Sequence, residues 1–274
     1  MVVGAGVLVA PASLRAAATL PHAMTPPPAA GGGACVIPTD TTSEVGRLWE
    51  SVRLALLDAR TAEGQSEIAL FERTVSRDGK KVRDASGRTG TLPARRPFAS
   101  RTQQEITTGG YVVDTPDESA YYAPDADILL SDSFLRTHCF SVEKGPKQSP
   151  QLVGLAFRPD RERPGIADID GTFWVDPAVQ GPVRLEFRYT GVPAAYRTAR
   201  VGGELLFRRL EGGQWLLSGW EIRMPLGVVN SRRQLADGGA ARTQRVFTID
   251  ELKSFGGTVK TYVDGARTFT VSPN

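Results

Sequence analysis

From Val183 to Tyr189 the chain alternates strictly, with Val183, Leu185, Phe187 and Tyr189 separated by Arg184, Glu186 and Arg188. Period two places the apolar set on one side of a strand and the charges on the other, which predicts a strand with one buried and one wet face. The same parity points Ile169, Phe173 and Val175 inward on the preceding segment and Leu205 and Phe207 on the next. On the last segment it points Leu216, Trp220, Ile222 and Met224 inward. Segments 152–158, 167–176, 183–190, 203–210 and 214–224 follow one another across short Pro, Gly and Asp turns, the signature of an antiparallel meander. Upstream, 66–75 reads as a strand, and Asp78-Gly79 as its hairpin turn.

One stretch has a different period. Between 41 and 59, Val45, Leu48, Trp49, Val52 and Leu56 recur every three or four residues and make a single apolar stripe, with Thr41 and Glu44 spaced for a capping box. Trp49 reads as the anchor of that stripe in a core. A second, short helix is expected over 127–136, started by Pro124. The polar stretch 84–106, with Arg95-Arg96-Pro97-Phe98 in its middle, carries no readable period. A flexible loop is expected near 227–243 and a last strand at 256–263. A sheet with one aromatic face will twist around whatever fills that side, and the helix is the natural filler. The expected fold is mainly β (α+β): a curved antiparallel meander, or half-barrel, wrapping an N-terminal amphipathic helix. The inner face would carry Phe157, Phe173, Leu185, Phe187, Phe207 and Trp220. These residues either complete a packed core or line an apolar pocket of lipid size.

The ends of the chain add a location. Residues 2–10 are almost wholly apolar and precede Ala16-Ala17-Ala18, as in a signal peptide without its basic start. Pro26-Pro27-Pro28 and Gly31-Gly32-Gly33 then make a linker, so residues 1–34 stand apart from a single domain over 35–274. In an exported chain, Cys35 and Cys139 are most simply a disulfide. The alternatives are lipidation at Cys35 after Gly32-Gly33-Ala34, and two free thiols if the chain stays in a reducing compartment. With 33 Lys and Arg against 30 Asp and Glu, mixed along the chain, no basic groove for nucleic acid is marked. Beyond the leader, no segment has the ~20 apolar residues needed to span a bilayer.

Candidate chemistry is sparse. Ser141 and Lys144 match S-x-x-K without the motifs that accompany it, and His138 beside Cys139 has no partner set for a thiol nucleophile. His22 and His138 are the only histidines, and neither has ligand spacing to a second His or Cys. Asp168, Asp170 and Asp176 share one parity and could form a carboxylate cluster. On a polar face with Thr172 and Trp174, however, they are expected to be solvated or paired with Arg184 and Arg188. No cofactor motif is present.

Several segments carry a family resemblance. Arg47-Leu48-Trp49-Glu50, Tyr121-Tyr122-Ala123-Pro124-Asp125, Thr137-His138-Cys139-Phe140, Asp168-Ile169-Asp170-Gly171-Thr172-Phe173-Trp174 and Ile222-Arg223-Met224-Pro225 look like the C-terminal module of exported bacterial carboxypeptidase regulatory-like proteins. The resemblance spans about 35–225 and implies no peptidase activity, because the family name comes from an N-terminal sandwich that this chain lacks. In strand order the chain is also similar to periplasmic lipoprotein-carrier half-barrels, in which a sheet wraps a helix and shelters acyl chains. That likeness implies a non-enzymatic envelope module holding a lipid or lipidated protein. The alternative is a structural domain, without a cavity, that meets another envelope protein. A hydrolase built on the three aspartates ranks behind both.

Overall fold

The computed structural model describes residues 10–11, 35–76, 81–115, 118–235 and 241–271. The leader-like segment and linker therefore lie outside the described residues, apart from Ala10–Pro11. In chain order the elements are β1 (Ala10–Pro11), α1 (Glu44–Thr61), β2 (Gln65–Ser76), β3 (Val82–Pro93), α2 (Gln103–Gly109), β4 (Val112–Asp114) and β5 (Glu118–Tyr121). Then come α3 (Ala126–Leu129), α4 (Asp132–Thr137), β6 (His138–Lys144), β7 (Val153–Pro159), β8 (Asp168–Asp176), β9 (Gly181–Thr190) and α5 (Ala194–Thr198). The chain ends with β10 (Gly202–Arg209), β11 (Trp215–Leu235), β12 (Ala241–Asp264) and β13 (Arg267–Thr270).

Ten strands form one antiparallel sheet in the order β3-β2-β12-β11-β10-β9-β8-β7-β6, with β13 paired to β12. The sheet is open, since its edge strands β3 and β6 are not paired with each other. A small second sheet runs β1-β5-β4. The helix α1 lies on one face of the large sheet, against β6 to β9 and β11. This is the half-barrel arrangement that the alternating pattern predicts.

On β9 the expected parity holds from Leu185 onward: Leu185, Phe187 and Tyr189 are buried, while Glu186 and Arg188 are exposed. Val183, expected inward, is only half-buried, because the register with β8 slips there and Val175 faces Pro182 instead. Ile169 and Tyr189, Phe173 and Leu185, and Leu185 and Leu205 are cross-strand partners, so they share the inner face. Two large rings on that face lie over glycines. A Cβ on Gly203 would come 2.7 Å from the Phe187 ring, and one on Gly257 would collide with Trp220. Glycine at these positions lets the rings lie down on the sheet and fill the space beneath α1.

Four local expectations are corrected. The helix starts at Glu44, with Ser43 rather than Thr41 as its cap: the Ser43 hydroxyl accepts the Gly46 N–H at 3.0 Å, and Asp40 holds the Thr42 N–H at 2.9 Å. The helix expected over 127–136 is two helices, because Asp125 caps α3 and Ser131 caps α4, each with its own side chain. Residues 227–235 and 241–243, read as part of a flexible loop, are backbone-paired in the outer part of the β11–β12 hairpin. The strand expected at 256–263 belongs to β12, and the last strand is β13. The polar stretch holds β3 and α2, and α2 carries the reciprocal capping box, formed by Thr102 and Glu105. The Asp78-Gly79 turn lies outside the described residues, but the strands flanking it do pair.

The parity of β11 also needs correction. The register slips between Leu206 and Phe207, so that Phe207 faces Leu217 and Leu206 faces Gly219. This bulge adds one residue and reverses the alternation. Leu217, not Leu216, therefore shares the face of Phe207, and Leu216 stands opposite Arg208 on the other face. Beyond the bulge Trp220, Ile222 and Met224 are buried as expected.

Candidate functional site

All six residues expected to line a ligand site, Phe157, Phe173, Leu185, Phe187, Phe207 and Trp220, are at most 2% exposed and belong to one core. The core is closed by aromatic contacts from above: Trp49 of α1 meets Phe140 with ring centres 5.8 Å apart, and Phe98 meets Trp220 at 5.8 Å. Of the six, Phe207 lines a cavity. Its walls are Leu56 and Ala59 of α1 and Leu205, Phe207 and Leu217 of β10 and β11, and the exposed Arg95 and Arg96 line it together with Phe98. The cavity measures about 20 Å³, room for roughly one water molecule. A lipid-sized site needs on the order of 300 Å³ or more.

What covers the cavity is a strap, residues 94–101, running from β3 to α2. Four tethers hold it. The Arg96 guanidinium donates to Asp127 at 3.0 Å in a pair that is about half exposed at both ends. The Ser100 hydroxyl donates to Asp125, the cap of α3, and the Phe98 ring is inserted beside Trp220. The Ala94 N–H donates to Gly64 O at 3.2 Å. Exposed ion pairs of the Arg96–Asp127 type contribute only about 0–1 kcal/mol, so Phe98 is the main fastening.

The polar groups assemble differently from the sequence expectation. Asp170 pairs with Arg188 at 3.0 Å, as expected, and Asp176 accepts the Ala178 N–H of the following turn. Asp168 is instead buried, with Arg163 at 3.0 Å and His138 Nε2 at 3.5 Å. The parity argument failed here because Asp168 is the first residue of β8, where Arg163 of the preceding loop and His138 at the start of β6 reach its carboxylate. Trp174, placed by parity on the polar face, is also buried, its Nε1–H donating to Glu186. His138 Nδ1 lies 3.0 Å from the Phe134 carbonyl, which only a donor satisfies. Burial alone would raise the Asp168 carboxyl, yet His138, the Ile169 N–H and Arg163 together hold it below the usual carboxylate range. The nearby Tyr111 hydroxyl is buried without a hydrogen-bond partner, and burial, then Asp168, push its phenol well up. Ser141 and Lys144 lie three apart on β6, hence on opposite faces. Among the described residues no group of three His, Cys, Asp or Glu could hold a metal ion.

The outer face carries three carboxylates in a row, since Glu204 is the register partner of both Glu186 and Glu221. Arg73 and Ser254 take up Glu221. Burial first, then Glu221, raise the Glu204 carboxyl above its ordinary value. A raised folded-state value adds stability below the unfolded pKa that is lost as pH rises through the folded one. Glu204→Gln is therefore expected to stabilise the domain at pH 7 by about 0.2–1 kcal/mol, the size of one like-charge cross-strand pair. The gain should vanish near pH 4, which thermal melts at the two values will test.

Sequence reasoning reached Leu56, Leu205 and Phe207, but missed Leu217, because a bulge leaves no compositional mark. It also gave no role to Arg95, Arg96 and Phe98. One phenylalanine in a polar run was the available signal.

An open antiparallel sheet with a helix on one face is what the chain is as a fold. No family model matches the sequence, and no curated protein matches it, so the carboxypeptidase regulatory-like resemblance gains no support. Two solved structures are similar to it. A DUF1329 family protein from Desulfovibrio piger is 7% identical, over 76% of this chain and 91% of that one, with a TM-score of 0.29. A domain described as an outer membrane lipoprotein-sorting protein, from Vibrio parahaemolyticus, is 10% identical over 83% and 95%, with a TM-score of 0.35.

Proposed function

We propose that the chain is an exported cell-envelope binding module, without catalytic chemistry of its own, whose ligand is a hydrophobic chain: a lipid or a lipidated partner. The observation that carries this reading is the strapped cleft: apolar walls from α1, β10 and β11, a cover fastened chiefly by one ring, and two exposed arginines in its lining. At about 20 Å³ the cleft is closed, so the ligand is admitted by lifting Phe98 off Trp220 and occupies the space the ring vacates. The Cys35–Cys139 disulfide fits an oxidising compartment. No helix among the described residues is long and apolar enough to cross a membrane.

The completeness of the core favours a second reading, a structural or protein-interaction domain that holds no ligand. The two separate by experiment. Native mass spectrometry of the gently purified chain should show copurifying lipid, and the delipidated chain should bind dansyl-undecanoic acid. Leu205→Trp, which fills the cleft, should weaken that binding by about tenfold or more. A bare mass together with no dansyl signal would leave the interaction domain as the answer.

A further inference from the structure

The two edges of the large sheet are treated differently. At the β6 edge, Val36 bridges Phe140, whose N–H donates to Val36 O at 2.9 Å, and the disulfide clamps the covering segment beside it. At the other edge β3 runs for 12 residues and, among the described strands, pairs only with β2. Its outer backbone groups thus form an open template for another strand. Its blocking devices sit at its ends: β3 has no lysine, its one proline is its last residue, Pro93, and the one break in its register with β2 lies between Val82 and Asp84, leaving the run from Asp84 onward unbroken. Ala85, Ser86, Gly87, Thr89 and Gly90 are small enough to let a neighbour approach closely.

The charges on β3 select the neighbour. Asp84 and Arg88 stand four residues apart, on the same face and exposed, and neither makes an ion pair among the described residues. We propose that β3 is a self-association edge, pairing antiparallel with β3 of a second copy about a two-fold axis at Ser86, so that two sheets join into one. In this register each Asp84 faces the other copy's Arg88, giving two reciprocal ion pairs. Ala85 faces Gly87, Ser86 faces itself, and Arg83, already bound to Glu251 at 2.8 Å, faces Thr89. A two-fold axis perpendicular to the sheet keeps faces together, so the register can shift only by moving the axis one whole residue. An axis at Ala85 sets Asp84 against Ser86, and one at Gly87 sets Arg88 against Ser86. Both lose the two ion pairs. The dimer is isologous and closed, leaving β6 and its cover at the two outer ends.

Ser86→Cys tests the axis directly, because a cysteine there would face its own copy within disulfide reach. Mild oxidation should give a covalent dimer on a non-reducing gel. Sedimentation of the unmodified chain should show a reversible dimer. Asp84→Arg or Arg88→Asp alone, each setting like charges opposite one another, should raise its dissociation constant about tenfold or more, and the double reversal should restore it. All three positions are exposed, and far-ultraviolet circular dichroism checks that each variant folds. A chain that stays monomeric at several hundred micromolar, a Ser86→Cys variant that does not cross-link, or a dimer indifferent to the single reversals would overturn the proposal. A dimer weakened by both single reversals but not restored by the double would overturn the register.

Discussion

Replacing Cys35 and Cys139 together by serine is expected to lower the stability of the folded domain by about 4 kcal/mol, the largest effect of any change away from the core. The bond joins residues 104 apart in sequence. Closing a loop of that length removes much of the freedom of the unfolded chain, roughly 4–5 kcal/mol in the chain-entropy model. The native side adds to this. The bond holds Val36 against Phe140, and so covers the β6 edge of the sheet. Without it the segment before α1 frays and the edge opens, so the variant should also be more prone to aggregate. Urea unfolding of the wild type with and without reductant, and of the double serine variant, will measure the difference. Reduced wild type should match the variant. A loss below about 1 kcal/mol would mean that α1 and the strand cover hold the N-terminal segment without the clamp.

The disulfide was legible because two cysteines in a chain with an export-like leader admit few alternatives. The same is true of β9, where seven residues alternate without exception, and of α1, where five apolar residues fall on one stripe. Other features left weaker traces. β3 is exposed along nearly its whole length, so neither of its faces needs apolar residues and no period appears. The bulge at 217–219 is one extra residue in a strand that is apolar on both sides, Leu216 and Leu217 being equally greasy, and only the pairing register tells them apart. The split of 126–137 into α3 and α4 was readable in principle, since Asp125 and Ser131 are both good N-cap residues. A single periodic helix was the simpler reading of Ile128, Leu129, Phe134 and Leu135. The cleft combines residues from positions 56 to 217, and no local pattern shows that the 94–101 strap folds back over β10 and β11.

The buried charge at Asp168 is the part of the molecule that sequence parity misplaced, and its removal should have the second large effect. His138 is 30 residues away in the chain, brought beside Asp168 because β6, β7 and β8 are successive strands of one sheet. Arg163 joins from the connecting loop and also donates to the Thr107 carbonyl at the end of α2, at 2.7 Å. One carboxylate therefore ties the beginnings of β6 and β8 to the helix beyond the strap. Breaking a buried pair by removing one member leaves the other uncompensated, at about 3–5 kcal/mol. Because the Arg163 side chain is 28% exposed and can turn to water, the lower end applies: Asp168→Asn should lose about 3 kcal/mol, and Arg163→Ala clearly less. The pH dependence has a definite sign. The Asp168 carboxyl sits below its ordinary value in the folded state, so its contribution is present above the unfolded pKa and is lost as pH falls through the folded one. The gap between wild type and Asp168→Asn in urea unfolding should be full at pH 5 and should close towards pH 2. A gap that persisted unchanged at the acid end would show that asparagine disturbs the packing of His138 against Phe134 rather than the charge, and the tie would then be one of shape.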